Sequence, residues 1–144
     1  MKVAIIGLGF VGLSFAVVLG QKNFPVLGID IDQEKILKIK KNIAPFFEPK
    51  LNNYLRNAQK KSLQISDNLD LAVRNCDLIF ITVSTPSLNS GAIDLKFIKT
   101  VIVSIGKILE KTKNKPIIEL VNNARKFQSR MIVKFNYNKE LVDL

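Results

Sequence analysis

The chain has 144 residues, one domain's worth, of which 47% are hydrophobic and 24% charged, a balance that excludes a disordered or fibrous chain. One cysteine and no histidine exclude an internal disulfide, Ser-His-Asp or Cys-His catalysis and histidine-containing zinc sites within it. The net charge is +10, but the lysines are scattered over candidate helix faces (Lys35, Lys38, Lys40, Lys41; Lys107, Lys111, Lys113, Lys115), so nucleic acid is not the expected partner.

Lys2–Ile6 reads as a short buried strand stopped by Gly7, and Val11–Lys22 as a helix with Phe15, Val18 and Leu19 at helical spacing. The apolar run Val3–Gly20 is also close to the length of a signal or membrane segment. Three glycines at its centre and the lack of a small-residue cleavage site argue against both, so no membrane role is expected. Pro25–Ile29 is a second strand. Asp32 is a plausible cap for a helix to about Lys41, with Ile36, Ile39 and Ile43 on one face. Pro45 and Pro49 bracket a turn. Leu51–Lys60 forms an amphipathic pattern through Leu51, Tyr54, Leu55 and Ala58.

Leu63–Ile65 is a short strand, and Ser66 or Asp67 caps a brief helix through Val73. Asp77–Val83 is the strongest strand pattern and belongs at the centre of a sheet. Thr85-Pro86 ends it, and Ser87–Gly91 is a loop. Asp94 caps a long helix to about Lys111, with Phe97, Val101, Ile105 and Ile108 inward. Pro116–Val121 is a further strand, and Met131–Tyr137 has strand character. Strands alternating with helices predict an α/β fold of the Rossmann type: a doubly wound, mostly parallel sheet with helices on both faces.

Gly7-Leu8-Gly9-Phe10-Val11-Gly12 is a G-x-G-x-x-G sequence between a predicted strand and a predicted helix. In that context Gly7 makes the turn, Gly9 lets a pyrophosphate approach the backbone, and Gly12 lets helix and strand pack closely. Asp30 ends the second strand 18 residues after Gly12, where a carboxylate accepts from the adenosine ribose hydroxyls and repels a 2′-phosphate. The pattern therefore points to a dinucleotide, NAD in preference to NADP. Lys35 either reaches the adenosine side or is simply solvated. Thr85, near a strand end, is placed to contact the cofactor with its hydroxyl. Glu48 is either a ligand contact or a surface carboxylate, and Cys76 reads as a buried filler on the wrong side of the sheet.

KVAIIGLGFVGL, VLGIDID, APFFEPKL (residues 44–51), CDLIFITVSTP and GAIDLKFI (residues 91–98) resemble, in order and interval, the N-terminal part of the UDP-glucose/GDP-mannose dehydrogenase family. The resemblance is greatest to the branch that oxidises UDP-glucose. It implies an NAD-binding domain over 1–119, with Gly7, Leu8, Gly9, Phe10, Val11, Gly12, Asp30, Lys35 and Thr85 as the cofactor contacts. It also implies an enzyme that oxidises the sugar C6 alcohol to a carboxylate in two NAD-dependent steps; the single cysteine fits a cytoplasmic setting. The match fades after Glu119. Where the family continues into Lys-Ser-Thr-Val, this chain reads Leu120-Val121-Asn122-Asn123, and Asn122 is a doubtful substitute for the threonine expected near the nicotinamide. Residues 120–144 are expected to be a divergent tail that adds an edge strand or stays poorly ordered. The family's catalytic cysteine, lysine and asparagine have no counterpart here, so no catalytic residue is expected in this truncated cofactor half. A nucleotide sugar would be its substrate only with the missing half supplied, by a partner chain or within a homo-oligomer. The alternative is a stand-alone NAD-sensing regulatory module of the potassium-transporter type, which leaves the FEP and VSTP stretches unexplained.

Overall fold

Short runs of branched apolar residues make the sheet in a computed structural model of the chain, which describes residues 1–87, 90, 93–121 and 131–132. The elements in order are β1 (Val3–Ile6), α1 (Phe10–Gln21), β2 (Val26–Ile29), α2 (Gln33–Lys40), α3 (Leu51–Lys61), β3 (Leu63–Ser66), α4 (Leu69–Asn75), β4 (Leu78–Ile81), α5 (Lys96–Leu109), β5 (Ile117–Leu120) and β6 (Met131–Ile132). The sheet order is β3-β2-β1-β4-β5-β6, parallel throughout except for β6, which pairs antiparallel with β5. This is the doubly wound architecture expected from the alternation of strands and helices. Ser87 and Ile93 form one antiparallel bridge across the loop after β4. Residues 88, 89, 91 and 92 of that loop, Asn122 and residues 133–137 lie outside the described residues.

The central strand β1 is buried on both faces because its residues alternate between two cores. Ala4 and Ile6 join Ala72, Val73, Ile98, Ile102 and Ile105 of α4 and α5. Val3 and Ile5 join Leu13, Val17, Ile36, Ile39 and Leu55 from α1, α2 and α3 on the opposite face. Strand order reverses between β1 and β4. The connections leaving their carboxyl ends diverge there, which opens a crevice above the sheet.

Several local expectations shift. Asn68, not Ser66 or Asp67, caps α4 by accepting from Leu71 N at 3.1 Å; Ser66 Oγ instead accepts from Asn68 N. Leu95, not Asp94, is the N-cap of α5 and makes no side-chain capping bond; Asp94, one residue earlier, accepts from Lys96 N through its Oδ1 at 2.8 Å. The buried stripe of α5 is Ile98, Ile102, Ile105 and Leu109, while Phe97 is exposed. In a helix apolar on most positions, the periodicity leaves a rotation of one residue undecided. The same holds for α1, where Leu13, Ala16 and Val17 are buried and Val18 faces out. Ile43 is exposed because α2 ends at Lys40 and Asn42, at φ +62°, turns the chain away. Tyr54 is likewise exposed, outside the Leu51, Leu55 and Ala58 stripe. β4 stops at Ile81 rather than Val83, because its neighbour β1 leaves the sheet at Gly7.

Candidate cofactor site

The chain leaves β1 at Gly7, whose φ of +98° lies in the left-handed region where only glycine is unstrained. A Cβ on Gly7 would also stand 2.9 Å from Val83 N. A Cβ on Gly12 would overlap the Gly7 carbonyl oxygen and come within 2.5 Å of Thr82 Oγ1. Gly12 therefore allows the first turn of α1 to close on the loop. Gly9 differs: a Cβ there would meet no atom of the described residues within 4 Å. Among the described residues nothing demands a glycine at this N-cap position, whereas a pyrophosphate pressed against the backbone would. Gly9 supplies no side-chain cap and the first turn of α1 holds no acidic residue. The positive end of the helix is thus left for an anion.

Asp30 follows β2 and is the buried charged residue among the described residues, 8% exposed. Its Oδ2 accepts from Leu8 N at 2.7 Å and from Lys35 Nζ at 2.8 Å, and its Oδ1 accepts from Asp32 N at 3.0 Å. Burial pushes this carboxyl upward. Hydrogen bonds from Lys35, Asp32 and Leu8, with the Lys35 charge, outweigh it and hold the group below the usual carboxylate range. A carboxylate offers about four lone-pair positions, so three donors leave capacity for a ribose hydroxyl. Asp32 caps α2 by accepting from Lys35 N at 3.0 Å, which settles the two aspartates into separate roles. Lys35 is tied to the site, since its partly exposed side chain binds its ammonium to Asp30.

The structure thus brings Gly7, Leu8, Gly9, Phe10, Val11 and Gly12 together with Asp30 and Lys35. Thr85 lies half-buried beyond the end of β4. The residue that ties β4 to the glycine loop is Thr82, whose Oγ1 lies 2.7 Å from Gly7 O and 3.1 Å from Ile6 O. Sequence reasoning passed over it; the signal was one hydroxyl near the carboxyl end of the apolar run LIFITV. It also passed over the ring contact between Phe10 and Phe46, with centroids 4.8 Å apart, which braces the loop against the 43–50 segment. Glu48 is exposed, and its carbonyl accepts from Leu51 N at 3.1 Å as α3 begins. Cys76 is fully buried just before β4, on the far edge of the sheet from the loop, and burial pushes its thiol up.

An open space at Gly9, an uncapped helix start and a strand-end carboxylate fit NAD, with the Gly7–Gly12 loop toward the pyrophosphate and Asp30 toward the ribose. NAD, when bound, supplies the hydride acceptor. No cluster of three or more metal-ligating side chains occurs among the described residues, and no helix among them is long and apolar enough to cross a membrane.

The likeness to known proteins runs through the same residues. A UDP-glucose 6-dehydrogenase of Rickettsia felis is 36% identical over 112 residues, covering 77% of this chain and 25% of that protein. The corresponding enzyme of Rickettsia prowazekii is 37% identical over the same length. The crystal structure of a ternary complex of GDP-mannose dehydrogenase from Pseudomonas aeruginosa superposes with a TM-score of 0.79 at 32% identity, over 83% of this chain and 28% of that one. The chain spans about a quarter of the length of the curated relatives it matches. The FEP and VSTP stretches, which the regulatory-module alternative leaves unexplained, fall inside the 1–123 region that matches a family description. With its glycine loop, strand-end aspartate and sheet order in place, the chain belongs to the UDP-glucose/GDP-mannose dehydrogenase family, of which residues 1–123 are the NAD-binding domain.

Proposed function

We propose that this chain is the cofactor-holding portion of an NAD-dependent oxidoreductase of the UDP-glucose 6-dehydrogenase type, and that it binds NAD unaided without oxidising a sugar unaided. The identity of 36–37% to the two rickettsial UDP-glucose 6-dehydrogenases carries the substrate assignment. The described residues hold no exposed cysteine to capture an aldehyde. Cys76 is the one cysteine in the chain, and it is buried. Covalent capture divides an alcohol-to-acid oxidation into two easier steps, so this chemistry falls to a second polypeptide segment. That segment carries the catalytic half. A single cysteine, which can form no internal disulfide, suits a reducing cytoplasm.

Calorimetric titration of the purified chain with NAD and NADP tests the first part. Saturable binding that favours NAD is expected, and no binding by a folded sample overturns it. Absorbance of reduced cofactor with UDP-glucose tests the second. None is expected from the chain by itself, and steady turnover by a homogeneous preparation would show that it carries its own nucleophile or needs none.

A further inference from the structure

The peptide unit joining Gly7 to Leu8 is held at both of its polar atoms. Its carbonyl oxygen accepts from Thr82 Oγ1 at 2.7 Å, and its N–H donates to Asp30 Oδ2 at 2.7 Å. Thr82 follows β4 and Asp30 follows β2, so the two grips come from the strands on either side of β1. A hydroxyl has one proton to give. Ile6 O, 3.1 Å from the same Oγ1, already accepts from Thr82 N at 2.8 Å, so the shorter contact to Gly7 O is the one the proton serves. Rotating this peptide plane by half a turn would break both bonds. It would also bring the Gly7 carbonyl oxygen to face the Asp30 carboxylate, setting two acceptors against each other. An unmet peptide group held away from water is costly, so one orientation is strongly favoured.

We propose, resting on the NAD-site reading above, that Thr82 is a positioning residue for the pyrophosphate. With Asp30 it fixes the Gly7–Leu8 peptide plane, and through it the path of Gly9 and the start of α1. Thr82 needs no contact with the cofactor for this. Valine would keep its shape and branching but offer no proton to Gly7 O. Serine would keep the proton and lose a methyl group. The ribose end and the pyrophosphate end of the site are joined through one carboxylate oxygen, Asp30 Oδ2, which holds both Leu8 N and Lys35 Nζ.

The test compares Thr82→Val and Thr82→Ser in the full chain, with NAD affinity read by calorimetry and adenosine affinity by NMR titration. Thr82→Val is expected to weaken NAD about 3- to 10-fold, the range for one neutral hydrogen bond, while Thr82→Ser stays within about twofold of the parent. Adenosine, which has no pyrophosphate, should bind all three alike. Folded Thr82→Val with parental NAD affinity overturns the proposal, as does an equal loss of NAD and adenosine. Exchange of the Leu8 amide proton, measured without ligand, should be faster in Thr82→Val than in Thr82→Ser, and equal rates overturn the clamp. If the parent chain itself binds no NAD, the site reading fails, and the Leu8 exchange rates still decide the clamp. If Thr82→Val does not fold, Thr82→Ala against Thr82→Ser supplies the same comparison.

Discussion

Lys35 Nζ stands 2.8 Å from Asp30 Oδ2, so the carboxylate at the end of β2 carries its own counter-charge. A bare carboxylate would repel a 2′-phosphate strongly; this pair is closer to neutral. Lys35→Met should therefore sharpen the preference for NAD over NADP. A partly screened pair is worth about 1 kcal/mol, so the ratio of the two affinities should rise about fivefold. Parallel titrations with both dinucleotides measure it. A ratio that falls would mean that Lys35 acts chiefly by holding the Asp30 carboxylate in the position that repels the 2′-phosphate.

Asp30 also sets a pH dependence. Its folded pKa lies below the ordinary 3.8, so near and below that value the unfolded chain binds more protons than the folded one. Stability therefore rises with pH through that window. The contribution is fully present at neutral pH and is lost as pH falls from about 3.8 through the depressed folded value. Asp30→Asn should remove this part of the acid sensitivity and cost about 2 kcal/mol at neutral pH, the scale for hydrogen bonds to a charged group. Urea unfolding of both proteins at neutral and acid pH checks it: their stability difference should shrink in acid.

The glycines of the loop should separate into two kinds. Gly9→Ala meets no atom of the described residues, so its stability should stay within about 0.5 kcal/mol of the parent while NAD affinity falls more than about tenfold. Gly12→Ala drives a Cβ into the Gly7 carbonyl and should destabilise by about 1–3 kcal/mol or more. Thermal melts beside NAD titrations distinguish them. A destabilised Gly9→Ala would mean that the space in front of that residue is not open.

Cys76→Ser should leave NAD affinity unchanged, because the residue sits on the edge of the sheet away from the loop. It should lower stability by about 1 kcal/mol, as a hydroxyl replaces a buried apolar thiol. In the native chain the thiol should react with a thiol reagent only at the rate of local opening, and should be fully reactive in urea. Rapid labelling of the native chain would show the side chain to be accessible.

Much of this site was legible in the sequence because backbone requirements leave residue-type marks. Gly7 and Gly12 are glycines for steric reasons, and Asp30 sits at a fixed distance because one helix and two strand ends separate it from the loop. The partners of those residues leave no such mark. Nothing local to Lys35 says that it turns toward Asp30 rather than to water. Thr82 looks like any β-branched strand residue until β1 is laid beside β4. The Phe10–Phe46 contact spans the whole first crossover and the helix after it, a distance over which periodicity carries no information. The inward face of α5 is only partly legible for the opposite reason: Phe97, Ile98, Val101, Ile102 and Ile105 are all apolar, so pattern cannot choose among neighbouring faces; Val101, Ile105 and Ile108 do pack on the core, Phe97 does not, and Ile98 and Ile102 take its centre.

The doubly held Gly7–Leu8 peptide has a kinetic consequence. A glycine-rich loop free to wander must be frozen by its ligand, and the lost entropy subtracts from affinity. Here that ordering is completed when the sheet forms, before any dinucleotide arrives. Association should then be a single bimolecular step, linear in NAD concentration, with no slower loop-closing phase following it. Releasing the Thr82 grip should shift the ordering into the encounter itself, and the lost affinity would appear as slower capture at an almost unchanged rate of escape.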